Sequence, residues 1–273
     1  MGTMYSFALD GVSFSHSLDT HPAKKDFEMH VHGHNEILVF ISGSATYLVE
    51  GNEYPLKPGS LLLIREAESH AINFLSDEPY ERFVLHFPSS ALNAIDPERR
   101  LLRPFHERPL GIGNLYEASD LPRRSALSYM KAMRSTSDDT YERKIALTSH
   151  LLPLLHDICK VFDSREDVER SGGQISQIIA YINENLFENI TVSSIAKEFY
   201  ISVSQLERVF KQATHSSVWH YITVKRLAAA KERIDGGASA TDACSECGFG
   251  DYSSFYRAYV KEYGASPYIK KRN

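Results

Sequence analysis

The spacing of hydrophobic positions divides this chain into two kinds of segment. In the N-terminal part, apolar residues come as short β-branched and aromatic runs broken by turn residues, a pattern of strands rather than helices. Phe7, Leu9, Val12 and Phe14 alternate with polar neighbours across residues 1–20 and predict one or two edge strands. Glu36 to Val49 holds two runs joined at Ser42-Gly43, Gly51-Asn52 and Pro58-Gly59 mark further turns, and Ser60 to Arg65 and Pro79 to Phe87 each read as a strand. Turn signals roughly every 8–12 residues indicate a sandwich or barrel. Residues 88–122 read as loop, with Leu110 to Leu115 as a last strand candidate.

Further along, the period becomes helical. Arg124 to Arg134 predicts a short helix, and Tyr141 to Phe162 a longer one with Ile145, Leu147, Leu151, Leu152, Leu154, Leu155 and Ile158 on a broad face and Pro153 as an expected kink. A face that wide needs cover, either from the strands of the same chain or from a second copy. Asp163 to Gly173 is polar and ends Ser-Gly-Gly, which predicts a linker between domains at 1–162 and 174–273. Beyond it, Ile175, Ile178, Ile179 and Ile182 recur at helical spacing, Thr191 is an N-cap candidate, and Ser217 opens a long helix to Ile234 stopped by Gly236-Gly237. In that helix Trp219, Tyr221 and Ile222 read as core.

The last stretch repeats itself. Ala240 to Cys247 predicts a short helix, Gly248 and Gly250 suit a turn, and Asp251 or Ser253 can cap a helix whose Phe255, Tyr259 and Tyr263 form one stripe. That is a helix-turn-helix pattern. Ser204, Leu206, Arg208 and Phe210 stand 49 residues before Ser253, Phe255, Arg257 and Tyr259, while Ala196 precedes Cys244 by 48, so the second turn holds one extra residue. Gly248 through Pro267 fits G-F-x-D-x-S-x-F-x-R-x-[FY]-x-x-x-x-G-x-S-P, and Ser202 through Lys211 fits S-x-x-x-L-x-R-x-F-K. On these residues the C-terminal part resembles the AraC/XylS-type bacterial transcription regulators. It departs from them in having His215 for a usual Gly, Cys244 for Ala, and Lys270 where an aromatic usually follows the Ser-Pro.

Composition adds a sign asymmetry. Residues 1–173 hold 18 Lys/Arg against 25 Asp/Glu, and residues 174–273 hold 12 against 10, an asymmetry that points, with the motifs beside it, to the C-terminal part as the nucleic-acid side. Cys159, Cys244 and Cys247 suit a reducing compartment, and the Cys244-x-x-Cys247 pair reads as packed small residues rather than a metal or redox pair. There is no run of about 18 apolar residues and no signal-peptide pattern, so a cytoplasmic protein is expected.

The strand region carries candidate chemistry. His30-x-His32-x-x-x-Glu36, then Leu56-x-Pro58-Gly59, then His70 resembles the cupin barrel that precedes the DNA-binding unit in many such regulators, over about residues 27–87. In metal-binding cupins a set of this kind converges on a transition metal, whereas regulators of the family usually hold a small molecule there. His34 is assigned to the loop. The resemblance implies an effector pocket at His30, His32, Glu36, Tyr47 and His70 without cofactor or metal, the same three histidines and Glu36 being metal ligands in the alternative reading.

The fold class expected is therefore multidomain α and β: a cupin-like β-barrel with a helical dimerisation segment, then an all-α unit of seven helices with two helix-turn-helix motifs. DNA contacts are expected from Val203, Ser204, Glu207, Arg208 and Lys211 in one motif and Tyr252, Ser253, Ser254, Tyr256 and Arg257 in the other. Lys211, Lys225, Arg226 and Lys261 are expected on phosphates. The partners implied are a double-stranded operator, a sugar or related metabolite, RNA polymerase if the protein activates, and a second copy of the chain, with no membrane. No Ser-His-Asp order or phosphate loop supports catalysis. The rivals are a metal-dependent cupin enzyme and a regulator whose ligand-free barrel serves only assembly.

Overall fold

The computed structural model describes residues 2–9, 11–22, 29–134, 138–165 and 174–268. Among the described residues, nine strands belong to the N-terminal domain: β1 (Gly2–Leu9), β2 (Val12–Asp19), β3 (Asn35–Ser42), β4 (Ala45–Val49), β5 (Asn52–Pro55), β6 (Leu61–Ile64), β7 (His70–Phe74), β8 (Tyr80–Phe87) and β9 (Leu115–Tyr116). They pair antiparallel in two sheets, β1-β2-β8-β3-β6-β9 and β5-β4-β7. The sheets are cupin-like, but they do not close into the expected barrel. β1 is an edge, whereas β2 lies between β1 and β8 and so is interior. The Leu110 to Leu115 candidate shrinks to the two residues of β9, and β7 forms where no strand was expected.

Alternation along β3 shows how the layers arise. Ile37 and Val39 face a core shared with the helices, while Leu38 and Phe40 face the three-stranded sheet, so both surfaces of the larger sheet are covered. The helical layer consists of α1 (Arg103–His106), α2 (Ala126–Met133) and α3 (Thr140–Ser164), with α2 and α3 packed on each other. α3 continues through Pro153 and buries Leu147, Leu151, Leu154, Leu155 and Ile158 in that core. By length and composition α3 could cross a membrane. Its apolar composition has a nearer cause, since these leucines cover the sheet of their own domain. Tyr141 and Ile145 remain exposed on the outer face.

α3 runs two residues past the expected domain boundary at 162. Asp163 and Ser164 close α3, and Arg165 bonds the carbonyls of Gly113 and Leu115 at 3.1 and 2.8 Å while covering the Tyr116 ring. The rest of the expected linker, 166–173, lies outside the described residues.

Six helices follow among the described residues, where seven were expected: α4 (Gln174–Glu184), α5 (Val192–Glu198), α6 (Val203–Thr214), α7 (Val218–Asp235), α8 (Ala240–Glu246) and α9 (Tyr252–Tyr263). Their starts match their caps. Ser202, Ser217 and Asp251 each accept an amide from three residues on, and Thr191 forms a reciprocal capping box with Ser194. Two cores result, one under α4–α7 and one under α7–α9. Trp219 corrects its expected burial: Tyr221 and Ile222 are fully buried, but Trp219 projects from the first turn of α7 and is 52% exposed.

Candidate DNA-reading surface and effector site

α6 and α9 are the second helices of the two helix-turn-helix units, each twelve residues long, with Leu206 and Phe210 or Phe255 and Tyr259 as the buried stripe. The remaining faces carry the residues expected to read DNA. Val203, Ser204, Arg208 and Lys211 are exposed on α6, and Ser253, Ser254, Tyr256 and Arg257 on α9. Two others are engaged within the protein. Glu207 accepts the Val218 amide at 3.4 Å, which braces α6 against the start of α7, and the Tyr252 hydroxyl meets that of Tyr268 at 3.2 Å.

Two expected phosphate contacts are corrected. Lys225 is 3% exposed and its ammonium bonds Glu50 at 2.7 Å, while Arg226 is 4% exposed and donates to the carbonyls of Leu186, Glu188 and Gly248, each at 2.7 Å. Helical periodicity turns both inward. A buried guanidinium survives because its three nitrogens all donate to backbone carbonyls, that of Glu188 also accepting the Ile190 amide at 2.8 Å. Lys211 and Lys261 stay at the surface. Cys244 and Cys247 are buried in the core of the second unit and burial pushes both thiols up, in keeping with packed residues.

The histidines converge. A bridge between His30 and His70, with reciprocal backbone bonds of 3.0 Å, lays the His30–His32 segment beside β7. Glu36 on β3 faces the gap between the sheets and stands opposite His86 of β8. Its Oε2 lies 3.0 Å from His32 Nε2, 2.9 Å from His86 Nε2 and 3.7 Å from His70 Nε2. The Tyr47 ring runs nearly parallel to that of His70 with centroids 6.3 Å apart. All five residues expected in the pocket thus gather at one place. His86 joins them unforeseen, because only the β3–β8 register reveals it.

Electrostatics sorts the cluster. Burial alone would raise the Glu36 carboxyl, but hydrogen bonds from His32 and His86 and the nearby His70 outweigh it and hold the group well below the usual range. Burial also opposes a charge on His32, yet the Glu36 carboxylate prevails and raises it. Burial, with His30 and His32 adjacent, holds His70 well below its ordinary value. His70 is therefore neutral at pH 7. Its Nδ1 donates to the Glu68 carbonyl at 2.9 Å, which leaves a lone pair on Nε2. That buried atom has no hydrogen-bond partner.

Together, paired helix-turn-helix units and a ligand-type β-domain define an effector-regulated DNA-binding protein. Matches to known families agree: an AraC-like ligand-binding domain model covers residues 18–151 and a helix-turn-helix domain model residues 195–271. The chain belongs to the AraC/XylS type of transcription regulators. It is 23% identical over 251 residues to the transcriptional activator RhaS of Escherichia coli, covering 89% of this chain and 86% of that one. Among solved structures, an apo ToxT variant from Vibrio cholerae aligns over 93% of this chain and 95% of its own at 16% identity and a TM-score of 0.43. The DNA-binding domain of AdpA, solved with a target DNA, aligns over 34% of this chain and 84% of its own at 22% identity and a TM-score of 0.32.

Proposed function

We propose that α6 and α9 read adjacent major grooves of one operator, roughly 34 Å apart, with Arg208 and Arg257 at base edges and Lys211 and Lys261 on phosphates. A polar small molecule, a sugar or related metabolite, controls this reading from the pocket of His30, His32, Glu36, Tyr47, His70 and His86. The observation that carries the pocket is the unpartnered, buried His70 Nε2 beside the Glu36 carboxylate. An unmade bond there costs about 1–3 kcal/mol, which a ligand hydroxyl would offset. Thermal unfolding of the protein with a panel of sugars and sugar acids tests it. One of them is expected to stabilise the parent, by about 2.7 kcal/mol at a hundredfold excess over its dissociation constant, and not the His70→Phe variant. Equal shifts in both proteins, or none with any of the panel, would refute the pocket.

One observation favours a metal in the same place. His32 and His70 both commit Nδ1 to a backbone carbonyl and turn Nε2 towards Glu36, as histidine ligands of metals do. Two triads with N or N/O donors suited to a transition metal share His32, one with His30 and His70 and one with Glu36 and His86, and a metal there would supply a Lewis-acid anchor for an effector oxygen. Elemental analysis after chelator-free purification decides: near-stoichiometric zinc, iron, manganese or nickel would replace the metal-free reading.

The remaining roles follow the family: a cytoplasmic homodimer that is not an enzyme and meets RNA polymerase where it activates. Pairing uses the outer face of α3. Leu151 and Leu155 cannot mediate it, being 4% and 0% exposed within their own domain, whereas Tyr141 and Ile145 are 72% and 48% exposed. Ile145→Glu should turn a sedimenting dimer into a folded monomer; an unchanged dimer would locate the interface elsewhere.

A further inference from the structure

The hairpin joining β4 and β5 ends in a two-residue turn, because Val49 pairs with Asn52 and only Glu50 and Gly51 lie between them. Both have positive φ, 47° and 78°. Such a turn suits Asn-Gly, and a glutamate in the left-handed region is disfavoured because its Cβ crowds the following carbonyl oxygen. Strain of this kind persists where surrounding contacts over-determine it. Here the contacts come from the other half of the protein.

The Glu50 carboxylate is buried between the two halves and has three donors. Lys225 Nζ and the Ser69 amide each reach Oε1 at 2.7 Å, and the Tyr221 hydroxyl bonds Oε2. Asn183 of α4 donates to the same hydroxyl at 2.9 Å, so α4 and α7 both engage the turn. Gly51 completes the fit: a Cβ there would lie 2.7 Å from Ile179 Cδ1 of α4. Clefts of about 580 and 460 Å3 open between the two halves, the larger lined by Glu50 itself. The smaller has His32 and His34 on one wall and Lys231 and Tyr263 on the other.

We propose that this turn is a separable lock between the β-domain and the DNA-reading half. A buried ion pair suits that purpose better than an apolar plug, since charges that lose solvation on docking recover it on opening. An equivalent leucine contact would expose hydrocarbon whenever the halves parted. The lock grips α7, the helix that joins the two helix-turn-helix units and sets the spacing of α6 and α9. On the other side it is tied to Ser69, whose neighbour His70 belongs to the effector cluster, so a ligand there acts next to the latch. The lock goes beyond the effector reading and would stand or fall without it.

Hydrogen exchange and small-angle scattering on the full chain test the lock without any ligand. Lys225→Met leaves Glu50 buried without its counter-charge, and Gly51→Asn adds a Cβ against Ile179 from the β-domain side while keeping a residue that tolerates the left-handed region. Both should raise exchange in α4 and α7 at least tenfold and increase the radius of gyration, with α8 and α9 as in the parent. The double variant Glu50→Met with Lys225→Met should stay docked, with parental scattering and exchange no faster than the parent's. Exchange within twofold of the parent in both single variants would overturn the lock. So would Lys225→Met unprotecting all of α4–α9 while Gly51→Asn behaves as the parent, because Lys225 would then be only a core residue of the helical half.

Discussion

Leu206 and Phe210 of the first helix-turn-helix unit, and Phe255 and Tyr259 of the second, are equivalent positions and all are buried, yet the surroundings differ. The core beneath α6 includes Met29, Val31 and Ala71 of the β-domain, whereas among the described residues the core beneath α9 draws on α7, α8, α9 and the turn between α8 and α9. Backbone strain follows the same division. Where the second unit has Gly248 and Gly264 at φ 77° and 64°, the first has Tyr200 and His215 at 55° and 56°. The first unit thus tolerates two left-handed side chains while leaning on its neighbour, and the second uses glycine and stands on its own core. Arg226 ties the two together, since its donors reach Leu186 and Glu188 before the first turn and Gly248 in the second.

The largest expected effect tests this division at the cores. Phe255→Ala should cost about 3–5 kcal/mol and unfold α8 and α9 while the first unit stays protected. Phe210→Ala should cost as much but also loosen the domain interface, because the Phe210 ring packs on Tyr221, which holds Glu50. Residue-resolved hydrogen exchange distinguishes the two patterns. Loss of both units in either variant would make them one cooperative block.

Acid should separate them next. Burial by itself raises the Glu68 carboxyl, but Arg108, at 2.6 Å, and neighbouring donors lower it from 4.5 to about 2. A depressed carboxyl stabilises the fold above its unfolded value and loses that contribution as pH falls through the folded one. The window is therefore pH 4.5 down to about 2, and the contribution is roughly 3 kcal/mol. Over this range the β-domain should lose protection and α6 should follow it, with α9 retained. Unfolding of α9 before the β-domain would contradict the comparison.

The two units were also unequally legible. Paired serine, apolar and arginine positions gave both recognition helices; of the two caps expected for the second, Asp251 is the one used, and Ser202 caps the first. The docking of the first unit was not readable, because it depends on a hairpin turn more than a hundred residues away in sequence whose Glu50 carries no motif. Lys225 and Arg226 looked like surface cations for the same reason: periodicity sets the face, but only the tertiary partner says whether that face is covered. In the β-domain the H-x-H-x-x-x-E spacing located the cluster, while His86 and the open sheet edges required strand pairing. Trp219 was misjudged because the buried face of α7 runs through Val218, Tyr221, Ile222 and Lys225, which turns position 219 outward.

Smaller effects are expected at the reading faces. Arg208→Ala and Arg257→Ala, both exposed and free of core contacts, should each weaken specific binding by roughly 1–3 kcal/mol and relax sequence preference in one half of the site. Lys211→Ala should weaken binding to every duplex alike and lower the salt dependence. Anisotropy titrations against a selected operator and a scrambled duplex measure both. Arginine variants that change the two duplexes equally would move these residues from base edges to phosphates.

The smallest effect addresses strain directly. Tyr200 is 96% exposed at φ 55° and His215 is exposed at 56°, so neither side chain repays the left-handed conformation by burial. Tyr200→Gly and His215→Gly should each stabilise the first unit by about 0.5–1 kcal/mol, the gain from relieved strain less the cost of the added entropy of an unfolded glycine. The second unit should answer in the opposite sense, and unequally. Gly264→Ala meets no atom within 4 Å and loses only about 1 kcal/mol, whereas the Cβ of Gly248→Ala would sit 2.7 Å from the Phe187 carbonyl oxygen and should cost more. Chemical denaturation of the four variants, read from the unit concerned, gives the ranking. A loss of stability in Tyr200→Gly would mean that its exposed ring already holds the turn through contacts made in solution.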